Sequence, residues 1–231
     1  MRAPGRAAAE AVRSPSDRIA LRRLIEERLK GTRPGADPMA ALSAGLSPEA
    51  AQQLQAYFPP SPTAAAVLVP LVDHPEGLSV LLTQRASHLK RHGGQVSFPG
   101  GRIEPGDDGP VAAALRETEE EIGLSRRHVT VVGYLDPQLV LTGYWVTPVV
   151  AFVQPGFELK LDECEVESAF EAPLAHILDP ANHQVQERAI GSVSVPVYDI
   201  PYGPYRIWGA TASMLMNLYR LVAQKDRSVS G

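Results

Sequence analysis

Apolar positions along the chain switch between two spacings. From Ser16 to Lys30, Leu21, Leu24, Ile25 and Leu29 recur at helical spacing, and Gly31 supplies a C-terminal stop. Residues 31 to 62 are rich in Ala, Pro and Gly and predict only a short helix, from Pro48 to Tyr57. Ala64 to Val72 and Leu78 to Thr83 then read as strands, joined by turn residues over Asp73 to Gly77. Arg85 to Gly109 is glycine-rich without a clear period, which predicts loop with short extended pieces. The strongest helix spans Pro110 to Ile122: Asp107 or Asp108 can cap it, Pro110 suits its first turn, and Gly123 ends it. Strands are expected at Val129 to Leu135 and Trp145 to Val153, and a helix near Cys164 to Phe170. Short strands at Val185 to Ala189 and Val193 to Val197 precede a final helix from Trp208 to Ala223. Interleaved strands and helices predict an α/β domain over residues 63–224, preceded by a leader and helical extension over residues 1–62.

Composition narrows the picture. The 231 residues are 44% hydrophobic and 21% charged, enough for a packed core. A net charge of -4 argues against a general nucleic-acid binder, while leaving room for an anionic small molecule held by local cations. A single cysteine, Cys164, excludes an internal disulfide and a zinc site built on cysteine pairs, and suits a reducing compartment such as the cytoplasm. The longest apolar run, around Ala64 to Val72, is too short and too interrupted by proline to span a bilayer. Arg2, Arg6 and Arg13 stand among alanines without an apolar face. That composition suits a disordered leader better than a transit peptide to an organelle matrix.

Chemistry concentrates on the Pro110 helix. At about 100° per residue, Val111, Leu115, Thr118 and Ile122 share a buried sector. Glu117, Glu120 and Glu121 cluster on the opposite side, with Glu119 apart from them and Ala113 and Ala114 beside them, leaving room for a substrate. A bare Glu-Glu-Glu run is ordinarily a solvated helix face. Acids at this spacing repel one another, and a hard divalent cation, Mg²⁺ or Mn²⁺, supplies the compensation while bridging to phosphate oxygens. The preceding Phe98-Pro99-Gly100-Gly101-Arg102-Ile103-Glu104-Pro105-Gly106-Asp107 forms a rigid entry to such a site. It lacks the Gly-Lys-Ser/Thr of a P-loop.

Gly101 to Leu124 resembles the Nudix box, G-x5-E-x7-R-E-U-x-E-E-x-G-U, at Gly101, Arg116, Glu117, Glu120, Glu121, Gly123 and Leu124. Asp107 replaces the first Glu, one extra residue separates it from Arg116, and Thr118 takes an aliphatic position. The resemblance implies a Nudix-type α/β/α sandwich with a mixed sheet, preceded here by the helical extension. It implies metal-dependent water attack on a diphosphate linked to another moiety. Glu117, Glu120 and Glu121 would be metal ligands and catalytic acids, Gly101 would offer its carbonyl, and Arg116 would orient Glu117.

Leu81-Leu82-Thr83-Gln84-Arg85-Ala86, followed by Lys90, Gly94 and Phe98-Pro99-Gly100-Gly101, resembles LLTxR[SA]x3Rx3Gx3FPGG, with Lys90 in place of Arg. That element marks Nudix hydrolases of coenzyme A and its thioesters, and Ile207-Trp208-Gly209-Ala210-Thr211-Ala212 resembles the C-terminal helix of the same branch. The implied substrate is coenzyme A, with Arg85, Lys90 and Arg91 as candidates for its 3′-phosphate. Arg85 could instead form a structural salt bridge. ADP-ribose, a dinucleotide or a nucleoside triphosphate is the alternative substrate, and a non-catalytic nucleotide sensor the alternative function. Glu165-Val166 before Phe170-Glu171-Ala172-Pro173-Leu174 resembles a family segment that brings a distant acid to the site, with Glu163 and Glu167 as rivals. His88 and His92 lie in loop-like sequence and read as surface or substrate-contacting groups rather than zinc ligands, and Cys164 as inert.

Overall fold

The structure is a computed structural model that describes residues 15–35, 37 and 47–224. The expected leader therefore lies, except for Pro15, outside the described residues. Helix α1 (Pro15–Leu29) and the short α2 (Pro48–Gln55, capped by Ser47) precede a hairpin of β1 (Thr63–His74) and β2 (Gly77–Arg85). Two short strands follow, β3 (Val96–Ser97) and β4 (Gly100–Arg102), and then α3 (Gly109–Ile122). Strands β5 (Val129–Tyr134), β6 (Gln138–Val140), β7 (Tyr144–Val153) and β8 (Val166–Pro173) complete an eight-stranded sheet. The short α4 (Leu174–Leu178) leads to a three-stranded meander of β9 (Gln184–Ile190), β10 (Val193–Tyr202) and β11 (Tyr205–Trp208), and α5 (Gly209–Ala223) closes the described chain.

The large sheet is mixed. β1 runs parallel to β7 and antiparallel to β2 and β4, and β8 pairs antiparallel with β2. Both faces are covered, which is why β1 and β7 read as nearly continuous apolar runs. Ala65, Val69 and Leu71 face a core shared with Leu21, Ile25 and Leu29 of α1 and Leu215 and Leu218 of α5. Ala66, Leu68 and Val72 face a second core closed by Ala113, Ala114 and Ile122 of α3. The sandwich architecture implied by the resemblance is present, with α1 sharing its core.

Two expectations fail here. Cys164 to Phe170 is not helical: Val166 begins β8, whose side chains alternate between the two cores, Val166 and Ala169 to one and Phe170 and Ala172 to the other. Phe170 stacks on Tyr205 at 3.6 Å between centroids, so sheet pairing and cover from both sides override a helix-like composition. Ala113 and Ala114 are fully buried against the sheet, so their small size allows the helix to approach the strands and opens no room for a substrate.

Candidate functional site

Helix α3 starts where expected, but Asp108 occupies its N-cap position without a side-chain cap bond. Asp107 is used elsewhere. Its carboxylate receives a fork from Arg116 at 3.0 and 2.8 Å and the Glu104 N–H at 2.8 Å. Arg116 and that N–H hold the Asp107 carboxyl down to about 2. The guanidinium also donates to Glu117 and Glu120, each at 3.0 Å, and to the Arg102 carbonyl. Arg116 thus bonds Glu117 directly, and one cation serves three carboxylates.

The three helix acids occupy three different environments. The Glu120 side chain is 61% exposed, Glu117 is 18% exposed, and Glu121 is 5% exposed. The expectation that all three share the face away from the core is corrected for Glu121. The Gly100–Gly101 strand crosses over it, and the Gly100 N–H donates to its carboxylate at 3.2 Å. Arg85, on the last residue of β2, reaches the same carboxylate at 3.9 Å, so it makes a salt bridge with the helix. Glu117 lies flat over Gly101: a Cβ there would stand 2.4 Å from its carboxyl carbon, so only glycine leaves the acid where it is. Burial raises the Glu121 carboxyl to about 7, with Gly100 and Arg85 opposing and Glu165 and Glu117 adding to the rise. Burial likewise raises Glu117, against Arg116, with help from Glu120 and Glu165. The charge of Glu165, outside the helix, adds to the rise at both Glu117 and Glu121.

The remaining candidates divide. Lys90 and Arg91 are exposed on the turn between β2 and β3. His92 adopts a positive φ of 59° and bonds Gln95. His88 lines a cavity of about 280 Å³ together with Ala86, Ser87, Glu163, Val166 and Glu167. The Glu167 carboxylate receives the Ser87 N–H, so this rival of Glu165 fixes the β2–β3 turn. Cys164 is exposed. Among the described residues, no three His, Cys, Asp or Glu side chains already stand together as a metal cluster. The donor chemistry nevertheless fits a hard cation: oxygen ligands only, with two of the acids pushed toward protonation by burial and mutual repulsion. Sequence reasoning missed the segment Lys160–Asp162, whose N–H groups bond the Ile122 and Glu121 carbonyls at the end of α3. Only Gly123, with φ 70° and Lys160 atoms 3.0 Å from a would-be Cβ, hints at it.

The NUDIX domain family model matches residues 62–190, and the chain belongs to this family of pyrophosphohydrolases. It is 42% identical over 154 residues to the uncharacterized Nudix hydrolase NudL of Escherichia coli K12, covering 67% of this chain and 80% of that one. Among solved structures, a MutT/nudix family protein from Enterococcus faecalis overlaps 82% of this chain and 74% of its own at 17% identity, with a TM-score of 0.45. A Nudix hydrolase from M. smegmatis, RenU, overlaps 52% of this chain and 75% of its own at 23% identity and a TM-score of 0.44. The chain is thus a Nudix hydrolase of a nucleoside diphosphate derivative, from a family that typically depends on a divalent metal. Among the described residues, no helix is long and apolar enough to cross a membrane.

Proposed function

We propose that the protein hydrolyses the pyrophosphate of coenzyme A and its derivatives, giving 4′-phosphopantetheine and adenosine 3′,5′-bisphosphate. The observation that supports this reading is that the two sequence elements resembling the coenzyme A branch are joined in the fold, and that the first of them touches an acid of α3. Arg85 of the first element touches Glu121. Thr211 of the C-terminal element donates to the Val96 carbonyl at 3.0 Å, bracing the strand that follows the first element's turn. Residues 63–224 would form the hydrolase domain, with residues 1–62 as its extension, acting on a soluble substrate in a reducing compartment.

In this reading Glu117, Glu120, Glu121 and the Gly101 carbonyl hold Mg²⁺ or Mn²⁺. Bound there, such a cation would supply neutralisation of phosphate charge and activation of water. Arg116 keeps Glu117 aimed across Gly101. Glu165 is the acid from outside the helix that completes the set, as ligand or as proton acceptor from the attacking water. One P–O bond to the bridging oxygen breaks as one P–O bond to water forms. Arg85, with Lys90 and Arg91, would meet the 3′-phosphate. The test is incubation with coenzyme A, ADP-ribose, a dinucleoside polyphosphate and a nucleoside triphosphate in ¹⁸O water, with mass analysis of the products. Coenzyme A should turn over fastest, with ¹⁸O in a single product. Preferential cleavage of another substrate overturns the coenzyme A assignment. Arg85→Ala should weaken coenzyme A more than dephospho-coenzyme A; an equal loss removes Arg85 from 3′-phosphate recognition.

A further inference from the structure

Helix α3 ends in carbonyls that need donors, and the segment after β7 supplies them. Lys160 N–H bonds the Ile122 carbonyl and Asp162 N–H bonds the Glu121 carbonyl, each at 2.9 Å. Asp162 then turns the chain. Its carbonyl accepts from Glu165 N–H at 2.9 Å and Val166 N–H at 2.8 Å, and its carboxylate accepts from Cys164 N–H at 2.9 Å. The Glu165 carbonyl, in turn, accepts from Ala86 N–H at 2.9 Å, at the head of the β2–β3 turn. One residue is therefore tied by its backbone to Glu121 itself and by its side chain to the turn that delivers Glu165. Asp162 is exposed, so core packing does not explain its side chain.

We propose that Asp162 is a positioning residue for the hydrolysis: its carboxylate shapes the turn that carries Glu165, the acid proposed to complete the set, whose carbonyl is tied to Ala86 at the head of the β2–β3 turn. The aspartate-type turn restrains the backbone across Asp162 and Glu163, so losing its side-chain bond loosens the approach to Glu165. Geometry displaced by an ångström at a reacting centre is costly even when the substituted residue touches nothing that reacts. The proposal rests on the reading that Glu165 serves the reaction, and not on the identity of the substrate.

The experiment compares Asp162→Ala, Asp162→Asn, Glu165→Gln and the double variant Asp162→Ala/Glu165→Gln, using whichever diphosphate of the substrate panel is hydrolysed fastest in excess Mg²⁺. Asp162→Ala should lower kcat on the order of tenfold with KM nearly unchanged. Asp162→Asn keeps the acceptor oxygen and should restore kcat. In the Glu165→Gln background, Asp162→Ala should cost nothing further, because its effect passes through Glu165. Melting temperatures of all four report whether the fold is intact. A multiplicative loss in the double variant, or an Asn variant as slow as the Ala variant, overturns the role of Asp162. Full activity of Glu165→Gln instead overturns the reading of Glu165, and the positioning role falls with it.

Discussion

Helices α1 and α3 both carry arginines and acids, and they dispose of charge in opposite ways. In α1, Arg18 and Arg22 converge on Asp73 of β1, and Arg22 also pairs with Glu26 and lies 4.5 Å over the Phe152 ring. In α3, Arg116 is divided among Asp107, Glu117 and Glu120, and Glu121 pairs with Arg85 at 3.9 Å. Charge is thus balanced around Asp73, where two arginines meet Asp73 and Glu26, and acids are in surplus around α3. The first arrangement pairs both acids with arginine and serves docking. The second leaves Glu117 and Glu121 raised, a conflict that persists in a folded domain where function compensates for it.

Substitution of Glu121 breaks this contrast most directly. Glu121→Gln should reduce turnover on the order of 10³-fold, since the group proposed to bind the cation is lost from a desolvated position. Its effect on stability should have the opposite sign. The Glu121 carboxyl titrates at about 7 when folded against 4.5 ordinarily, so the folded state holds that proton more tightly than the unfolded chain. Its contribution is fully present below pH 4.5 and is lost as the pH rises through about 7. In chelator, the melting temperature of the unsubstituted protein should therefore fall relative to Glu121→Gln across that window, and Mg²⁺ or Mn²⁺ should reverse the fall. Parallel melting curves for the two proteins would show that α3 carries no uncompensated charge.

Gly101→Ala sharpens the comparison at the next level. Its backbone lies outside the left-handed region, so alanine is accommodated, and the new methyl meets only the end of a flexible side chain. Glu117 must swing away while the strand stays in register with β1. Turnover should fall on the order of 10²-fold with little change in melting temperature. Unchanged kcat would mean that the position of Glu117 over Gly101 is irrelevant to the reaction.

This division also explains what could be read from the sequence. The helix caps of α3, its Gly123 stop and the β1–β2 hairpin follow from local rules, and the structure keeps all of them except the side-chain cap. The acids were legible as a group because the Nudix box is a local pattern. Their unequal burial was not, because it depends on Gly100 and Gly101 crossing above Glu121 from a different element. Long-range pairing likewise turned the segment around Val166 into β8, and it brought Lys160 and Asp162 to the end of α3. No periodicity announces a segment whose structure comes from donating to another helix's carbonyls.

The smallest effect on turnover should come from the region where charge is already balanced. Asp73→Ala removes the shared partner of Arg18 and Arg22, two partly buried side chains of α1. Stranding them should cost roughly 1–3 kcal/mol, lowering the melting temperature by several degrees for a chain of this size. The α1 contacts through Leu21, Ile25 and Leu29 lie in the core on the far side of the sheet from α3, so kcat should be unchanged while the protein stays folded. A loss of turnover below the melting transition would mean that α1 communicates with the acids through β1. The two helices would then be parts of one device, and the contrast drawn between them would not hold.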